Sequence, residues 1–440
     1  MSEQRTSERL EESGTLLTAA EAARALGIKP STLYAYVSRG LLHSQAGPDA
    51  RSRRYPRDEV ERLRLRRDGR RDPTEVSREA LSWGLPVLES AITLIGDGAL
   101  YYRGLEVGAL ARERRFEEVA ALLWLGELSR AADLFPARPV ELPATWRRVL
   151  HSLRDRHPGE RLQVVLRFAA SEDPAAMDLR PERLAAWGAR LLALLIATVG
   201  GRRHRAGEPL LGPLREAWTP DVAGGERLLH GALILCADHE LNVSSFTARC
   251  VASAGSNPYE ALAAALGALR GFRHGGHSDR VEEMLAELGL HRVIEGPVPA
   301  HEVRRLVEER LQRGERIPGF GQPLYPEGDP RWLVLLDLLD ATFPGSAVVA
   351  AARAVAAEVE SLIGQRPTVD FALATLSLEL GLGPGGAFTV FALGRTAGWI
   401  GHVIEEYARG QLIRPRARYT GPMPRGGPVP PAKDFPGERL

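Results

Sequence analysis

Several residue types are rare in this chain of 440 residues, and each scarcity excludes a class of protein. Its two cysteines, Cys236 and Cys250, exclude a disulfide scaffold and a zinc site built from thiolates alone. Lysine occurs only at Lys29 and Lys433, which excludes a phosphate loop of the Gly-Lys-Ser/Thr type. Schiff-base chemistry is limited to the same two lysines. The longest apolar stretches, such as 191–199, fall well short of the about 18 residues that a membrane-spanning helix needs.

A net charge of one sign is also missing, because 57 basic residues stand against 56 acidic ones. Such a chain has no overall attraction to nucleic acid or to a membrane surface. The length allows about three domains, and 44% hydrophobic residues are enough for a large core. The polar start, 1–14, lacks the apolar centre of a signal peptide, so we expect a cytoplasmic protein without a membrane partner.

Helical periodicity dominates the chain. Apolar residues recur at i, i+3, i+4 and i+7, as in 116–123 and 348–359, and Ala and Leu are abundant. Alternating strands bounded by Asn-Gly or Asp-Gly are scarce. We therefore predict a mainly α fold. Cys236 and Cys250 lie in one helical-looking stretch, which places them about 21 Å apart and too far for a disulfide.

The N-terminal segment has the pattern of a helix-turn-helix. Thr18 and Glu21 form a capping box before a short helix, Gly27 breaks that helix, and Ser31 opens a second one behind Pro30. Residues 1–72 carry 15 basic and 11 acidic side chains, and their arginines suit a wing that contacts phosphates. The side chains predicted to contact DNA are Ser31, Thr32, Tyr34, Arg51, Arg53 and Arg54. The alternative is a small helical appendage whose arginines form a solvated face.

This segment resembles the winged helix-turn-helix domains of the mercury-resistance-regulator (MerR-like) and excisionase-like families. The long coiled coil by which such regulators dimerise is missing after Leu65, so dimerisation must come from elsewhere. The resemblance rests on Ala20-Glu21-Ala22-Ala23, Leu26-Gly27-Ile28, Ser31-Thr32-Leu33-Tyr34, Arg39-Gly40-Leu41-Leu42 and Arg54-Tyr55.

Two clusters in the body contain histidines. The first, 237–242, lies inside a long apolar helical run and holds His239, which by itself is typical of a hydrogen-bonded core residue. The second, 273–277, has two glycines between His274 and His277, so a ligand can approach its backbone closely. These two histidines suggest a metal pair, but no third ligand has a helical spacing to them.

Two further clusters combine loops and charges. The Gly and Pro content of 318–331 predicts a loop. In 369–371, Asp370 stands beside apolar side chains; burial would raise its pKa and suit it to proton transfer, although a paired structural carboxylate is the alternative. The sequence 381–386 fits G-x-G-x-x-G, but the Ala-Leu-rich stretch before it predicts a helix instead of a strand, which argues against a dinucleotide site.

Together the clusters resemble the citrate synthase family from about residue 89 to 421. The resemblance implies citrate-synthase-like large and small helical domains. The predicted segments are a flexible N-terminus (1–14), the helix-turn-helix domain (15–72), the citrate-synthase-like domain (73–423, small domain about 275–380) and a flexible tail (424–440). Besides the clusters, the matching stretches are Ser90-Ala91-Ile92-Thr93, Tyr102-Arg103-Gly104, Phe116-Glu117-Glu118-Val119, Gly126-Glu127-Leu128, Phe388-Thr389, Arg395, Gly398-Trp399-Ile400-Gly401-His402 and Arg414-Pro415.

The resemblance implies an acyltransferase that condenses acetyl-CoA with oxaloacetate and needs no cofactor besides the acetyl-CoA substrate. Asp370 would be the base and His274 would stabilise the enol. Arg414 would come from the partner subunit, so a homodimer completes the active site. The residues implied for oxaloacetate are His239, Arg331, Arg395 and Arg414. Those implied for CoA are Ile317, Pro318, Gly319, Phe320 and Gly321.

One position departs from the family. The third catalytic residue of citrate synthases is a His, and here it is Gln322, a neutral side chain that donates an N–H and cannot give up a proton. We expect a weakened synthase. The alternatives are a transcriptional regulator that uses the body as a metabolite sensor, and a related enzyme such as 2-methylcitrate synthase or citryl-CoA lyase.

Overall fold

The computed structural model describes residues 16–38, 42–46, 53–56, 60, 88–96, 98–135, 142–290 and 298–415. The chain divides into two compact units, 1–89 and 90–440. Arg51 lies outside the described residues.

The first unit combines two short helices with a small sheet. Its elements are β1 (Leu16–Thr18), α1 (Ala19–Ala25), α2 (Pro30–Ser38), β2 (Gln45–Ala46) and β3 (Arg53–Pro56). Strand β3 lies between β1 and β2 and is antiparallel to both. This arrangement confirms the predicted helix-turn-helix with a strand-built wing.

Local chemistry explains where the first unit's helices begin and what they pack on. Thr18 Oγ1 accepts from the Glu21 backbone N–H, and Glu21 Oε2 accepts from the Thr18 N–H at 2.8 Å, which is the predicted capping box. Gly27, at φ +56°, lets the chain turn after α1. The described core of the unit consists of Ala22, Ala23, Leu26, Leu33, Leu42, Tyr55 and Val60. Tyr55, which follows the arginines Arg53 and Arg54, is therefore a core residue.

The second unit opens with a small antiparallel sheet of order β4-β5-β6, followed by helices. The sequence contained a signal for this sheet, Asp97-Gly98 between two short apolar stretches. The elements are β4 (Thr93–Gly96), β5 (Ala99–Tyr102), β6 (Leu105–Glu106), α3 (Val107–Glu113), α4 (Phe116–Leu125), a 3₁₀ turn (Leu128–Arg130), α5 (Ala131–Leu134), α6 (Ala144–Ser152), α7 (Pro158–Glu172), α8 (Pro181–Val199), α9 (Gly212–Trp218), α10 (Gly225–Cys236), α11 (Val243–Ser253), α12 (Pro258–Leu269), α13 (His277–Ala286), α14 (Ala300–Gln312), α15 (Pro330–Thr342), α16 (Ala347–Ile363), α17 (Val369–Glu379) and α18 (Gly386–Arg409).

Helix α18 lies at the centre of the second unit. Twenty of its 24 residues are buried, as expected of a helix that is surrounded by other helices. Helices α8, α10, α11, α12 and α17 pack against it. The polar residues on α18 that are nevertheless buried, Arg395 and His402 among them, therefore point into the protein interior, where an unpaired polar group is costly.

The predicted helical periodicities are confirmed, with one exception. Residues 116–123 lie in α4 and 348–359 lie in α16, and the segment before 381–386 is helix α17. The prediction of one continuous helical run around His239 is wrong, because α10 ends at Cys236 and α11 begins at Val243. Within the described part of the chain, no helix has both the length and the apolar composition to cross a bilayer.

Candidate active site

The turn 237–242 connects α10 to α11 and carries His239. Glu240 has φ +54°, a left-handed conformation that a helix cannot contain. Asn242 caps α11, because its Oδ1 accepts from the N–H groups of Ser244 and Ser245. Tyr102 Oη lies 3.0 Å from the carbonyl oxygens of both Ile234 and Asp238, to which its one proton can be donated, and it accepts from the Asp238 N–H at 2.9 Å. These contacts break the helical run and fix the backbone on both sides of His239.

A buried carboxylate ties this turn to α18. Asp238 accepts from Thr93 Oγ1 at 2.6 Å and from the Glu240 N–H at 3.1 Å. Its other oxygen lies 3.2 Å from His402 Nε2. Gly398 lets the turn approach, because a Cβ there would collide with Ala237 and Asp238. Burial opposes ionisation of Asp238, but His402 and neighbouring groups hold its pKa below the ordinary value.

His239 faces a tyrosine and two arginines. Its Nε2 lies 2.9 Å from Tyr325 Oη. Burial, followed by the positive charges of Arg331 and Arg395, holds the pKa of His239 well below the ordinary value. The ring is therefore neutral at pH 7, so one ring nitrogen donates a hydrogen bond and the other accepts one.

His274 belongs to a hydrogen-bonded chain that runs back to the α11 cap. Its Nε2 lies 2.8 Å from Ser244 Oγ. That hydroxyl also lies 2.7 Å from Asn242 Oδ1 and accepts from Trp399 Nε1 at 3.0 Å. Burial, with a smaller contribution from Arg395, lowers the pKa of His274 to about 3. His274 is therefore a neutral, oriented imidazole.

Asp370 lies in the first turn of α17. Its Oδ1 accepts from Ser278 Oγ at 2.6 Å, and Thr368 Oγ1 lies 3.5 Å from its Oδ2. Since Ser278 follows His274 by four residues at the start of α13, the structure brings the predicted base and the predicted enol-stabilising histidine to the same corner. Burial raises the pKa of Asp370, as the sequence predicts for a carboxylate among apolar side chains.

Arg331 is held by its neighbour Asp329. The guanidinium Nε and Nη2 donate to the two carboxylate oxygens at 2.9 and 2.7 Å, a bidentate pair. Asp329 also caps α15 and accepts from the Val369 N–H at 3.0 Å. Although burial opposes a charge on Arg331, this carboxylate raises its pKa above the ordinary value. Asp329 therefore links Arg331 to the start of the helix that carries Asp370.

Arg395 is the least satisfied cation of the described site. Its Nε donates to the Cys236 carbonyl at 2.9 Å, and its guanidinium lies 4.9 Å from the centre of the Phe391 ring. Its Nη2 is buried and has no hydrogen-bond partner among the described residues. Burial lowers the pKa of Arg395, although an arginine remains charged. An anion that reached this nitrogen would satisfy it.

The loop 317–321 lies between α13 and the residues before α17. The Gly319 N–H donates to His277 Nε2 at 3.0 Å, and the Gly319 carbonyl accepts from the Thr368 N–H at 2.8 Å. Phe320 packs on Phe371, with ring centres 4.8 Å apart. Within the loop, Ile317, Gly319 and Phe320 are buried, Pro318 is half-buried and Gly321 is exposed.

Gln322 follows this loop and is half-buried. Its carbonyl accepts from the Tyr325 N–H at 2.9 Å, and Tyr325 contacts His239. The turn that carries Gln322 is thus connected to the turn that carries His239.

The remaining predicted residues belong to other segments of the chain. Arg414 is exposed after α18, where the neighbouring Ile413 N–H donates to Ser253 Oγ at 3.1 Å. In the first unit, Tyr34 and Arg53 are exposed, and Thr32 and Arg54 are half-buried. Ser31 lies at the start of α2.

The metal interpretation of His274 and His277 receives no support. The two rings bond different partners, Ser244 Oγ and the Gly319 N–H. Within the ranges that the structure describes, no group of three or more His, Cys, Asp or Glu side chains is arranged to hold a metal ion.

Sequence reasoning missed several supporting residues. The amino-acid sequence shows that Ser244, Tyr325 and Ser278 are polar. It does not show that each of them contacts a site residue that lies in a distant segment of the chain. A local signal existed only for Asp329, which precedes Pro330 at a helix start and is therefore an expected N-cap.

Comparison with known proteins agrees with this architecture. The family model described as "Citrate synthase, C-terminal domain" matches residues 80–416, and the model described as "Helix-turn-helix domain" matches residues 16–68. The fold and the family match define a citrate synthase-like acyltransferase. The chain belongs to the citrate synthase family, with an N-terminal helix-turn-helix domain, and both parts of the expected family resemblance are confirmed.

Individual relatives cover most of the chain. Citrate synthase 2 of Bacillus subtilis is 30% identical over 364 residues, which are 77% of this chain and 95% of that protein. A 2-methylcitrate synthase of Mycobacterium tuberculosis is 30% identical over 349 residues, 73% of this chain and 85% of its own. The crystal structure of citrate synthase from Thermotoga maritima superposes with a TM-score of 0.64 at 30% sequence identity. The match covers 80% of this chain and 98% of the Thermotoga chain.

Proposed function

We propose that the chain condenses acetyl-CoA with oxaloacetate to citryl-CoA, whose thioester is then hydrolysed by water to give citrate and CoA. The observation that carries this proposal is the placement of Asp370 and His274 at one corner, near a buried guanidinium with an unpaired nitrogen, Arg395 Nη2. A base, an enol stabiliser and an anion-binding cation are the three groups that the condensation needs.

Proton removal from the thioester methyl group is assigned to Asp370. The enolate oxygen that forms is stabilised by a hydrogen bond from His274 Nδ1. This requires the ring proton on Nδ1, which follows when Ser244 donates its hydroxyl proton to Nε2. Such an arrangement leaves Asn242 Oδ1 with the two backbone donors that already cap α11. Burial lowers the pKa of His274 to about 3, so the ring is neutral at pH 7 and carries the single N–H proton that this hydrogen bond uses.

Oxaloacetate binding is assigned to the arginines and to His239. Arg331 uses Nε and Nη2 for Asp329, so Nη1 is the nitrogen that faces a substrate carboxylate. Arg395 offers Nη2. In the homodimer that we propose, Arg414 of the partner subunit supplies a third cation, consistent with its exposure. The loop 317–321 receives the CoA adenine, and no cofactor takes part in the reaction.

Gln322 replaces the usual histidine that polarises the oxaloacetate carbonyl. Its amide donates a hydrogen bond to the forming alkoxide but carries no positive charge. We infer a functioning synthase with a reduced turnover number, because an oxyanion donor is worth about 10²–10³ in rate and a neutral one retains only part of that.

The test is thiol release from acetyl-CoA with oxaloacetate, run in parallel with propionyl-CoA because relatives with both names are equally similar. Asp370→Asn should reduce turnover by about 10²-fold or more, the contribution of a general base. Asp279→Asn is the matched control, since Asp279 is a neighbouring carboxylate that bonds His157 instead. Wild-type protein that releases no thiol with either thioester would contradict the proposal.

A second function, DNA binding by the first unit, is favoured by the helix-turn-helix match and by the wing that carries Arg53 and Arg54. Retardation of the gene's own upstream DNA tests it. The double variant Arg53→Ala/Arg54→Ala should weaken binding and reduce the salt slope by about two, one for each lost phosphate contact. Arg24→Ala, at an exposed position of α1, is the control. Undiminished binding by the double variant would remove the wing from the interface.

A further inference from the structure

The first two residues of α13 each contact a different functional segment. His277 Nε2 accepts from the Gly319 N–H at 3.0 Å, and Ser278 Oγ donates to Asp370 Oδ1 at 2.6 Å. Neither side chain has a part in the chemistry described so far. The start of one helix thus contacts the loop assigned to CoA and the carboxylate assigned as the base.

We propose that His277 and Ser278 are positioning residues, which hold the CoA loop and the catalytic carboxylate of Asp370 in one fixed arrangement. The inference rests on the proposed condensation. It assigns two residues that act through others: His277 through the backbone of Gly319, and Ser278 through Asp370.

The surroundings of Gly319 show that the loop is held from two sides. Its N–H is bound by His277 on α13, and its carbonyl by the Thr368 N–H just before α17. Gly319 has φ +82°, and a Cβ there would lie 3.0 Å from atoms of Val281 on α13 and Phe371 on α17. Gly319 therefore packs between α13 and α17, and it contacts the same helix α17 that carries Asp370.

The hydrogen bond from Ser278 also selects which carboxylate oxygen reacts. Oδ1 accepts at 2.6 Å, whereas the Thr368 hydroxyl lies 3.5 Å from Oδ2, so we assign the less tightly bound Oδ2 as the oxygen that takes the methyl proton. The charged and titratable groups that face this carboxylate are His277, Arg331, Asp329 and Cys236. Burial and the Asp329 charge disfavour the ionised form, while the Ser278 hydrogen bond and the Arg331 charge favour it. Loss of Ser278 Oγ therefore makes Asp370 harder to ionise and free to rotate.

Variants at Ser278 test its role at Asp370 through turnover and its pH dependence. Ser278→Ala should lower kcat about tenfold, as for loss of a hydrogen bond to a charged group, and move the acid limb of the kcat profile about one pH unit upward. The KM for acetyl-CoA should change little. Ser278→Thr retains the hydroxyl and should restore both quantities. An unshifted pH profile in an active, folded Ser278→Ala variant would overturn this role.

Variants at His277 test its role at the CoA loop through the affinity for the thioester. His277→Asn is polar but too short to reach Gly319, so the Kd for acetyl-CoA should rise about fivefold with a smaller effect on kcat. His277→Gln places an amide oxygen near the position of Nε2 and should restore the affinity. Equal affinities of the Asn variant and the wild type, measured by calorimetry, would overturn this role.

The two kinds of failure are separable. Wild-type protein that binds acetyl-CoA but releases no thiol contradicts the proposed function, while calorimetry on the His277 variants still decides the loop contact. Wild-type protein that condenses normally, together with Ser278→Ala and His277→Asn variants that match it, contradicts the positioning roles alone.

Discussion

Asp238 and His402 form a fully buried pair in which a carboxylate oxygen lies 3.2 Å from the ring Nε2. The pair joins the turn beside His239 to the central helix α18, at a place where Gly398 allows the two backbones to meet. A buried carboxylate without a partner is costly. The stability of this turn therefore depends on His402.

Replacement of His402 should destabilise the protein strongly. His402→Leu leaves the Asp238 charge with Thr93 and one backbone N–H, and the free energy of unfolding should fall by about 3 kcal/mol. Urea denaturation measures this. His301→Leu, at an exposed histidine of α14, is the control and should have little effect; a similar loss in both variants would disprove the special role of the pair.

Replacement of Arg395 should separate stability from function. Arg395→Met removes a buried guanidinium whose Nη2 is unpaired, so the urea midpoint should stay the same or rise. Oxaloacetate affinity should fall about 100-fold with the lost charge-assisted bonds, as measured by calorimetry.

Arg249 provides the contrast for that experiment. Its Nε donates to Glu406 at 2.6 Å, and both side chains are almost fully buried. Arg249→Met should therefore cost about 3 kcal/mol or more. Equal destabilisation by the Arg395 and Arg249 variants would contradict the view that Arg395 is kept for its ligand.

Restoring the usual histidine should accelerate the reaction. Gln322→His adds a donor that can carry positive charge, and kcat should increase about tenfold with little change in KM, a part of the full oxyanion effect. Thiol release measures both constants. Gln365→His places the same ring at an exposed position beside Gly321 and should leave kcat unchanged. A gain in the control alone would argue against the assignment of Gln322.

Acid sensitivity should depend in part on His230. Burial, with Arg227 and Arg115 nearby, lowers its pKa to about 3, and its Nδ1 must stay unprotonated to accept from the Phe116 N–H at 2.9 Å. Glu117 and Glu226 also face the ring. Because the unfolded state binds the extra proton below about pH 6.5, stability is lost as the pH falls from there toward 3.

His230→Asn retains an acceptor for that N–H and cannot be protonated. The slope of unfolding free energy against pH should decrease in this window by up to about 1.4 kcal/mol per pH unit, the limit for one proton. Denaturation series at several pH values provide the measurement. A slope identical to that of the wild type would show that His230 does not titrate on unfolding.

Local pattern was sufficient for the helices and insufficient for the turn 237–242. Apolar periodicity continues through these residues and no Gly or Pro interrupts it, so the sequence predicted one helical run. Tyr102, Gly398 and the Asp238 carboxylate break the run. Two of these three residues come from other segments of the chain, and a local window does not contain them.

For the candidate site too, the sequence predicts which residues take part but not how their side chains are oriented. The proposed chemistry of His274, Asp370 and the arginines follows from residue types and a family resemblance, and the structure brings His274 and Asp370 to one corner. Their orientation depends on Ser244 and Ser278, which are ordinary serines in the sequence. Only folding shows that each hydroxyl lies within 2.8 Å of a site residue.

The loop 317–321 is secured largely through its own peptide groups, at Gly319 and at Gly321, whose N–H donates to the Arg366 carbonyl at 3.0 Å. Peptide groups are the same in every amino acid, so this anchoring does not depend on the half-buried side chain at Pro318. That position can therefore be varied while the loop keeps its path, which makes it a practical starting point for tuning how tightly the proposed CoA loop binds the adenine end of CoA.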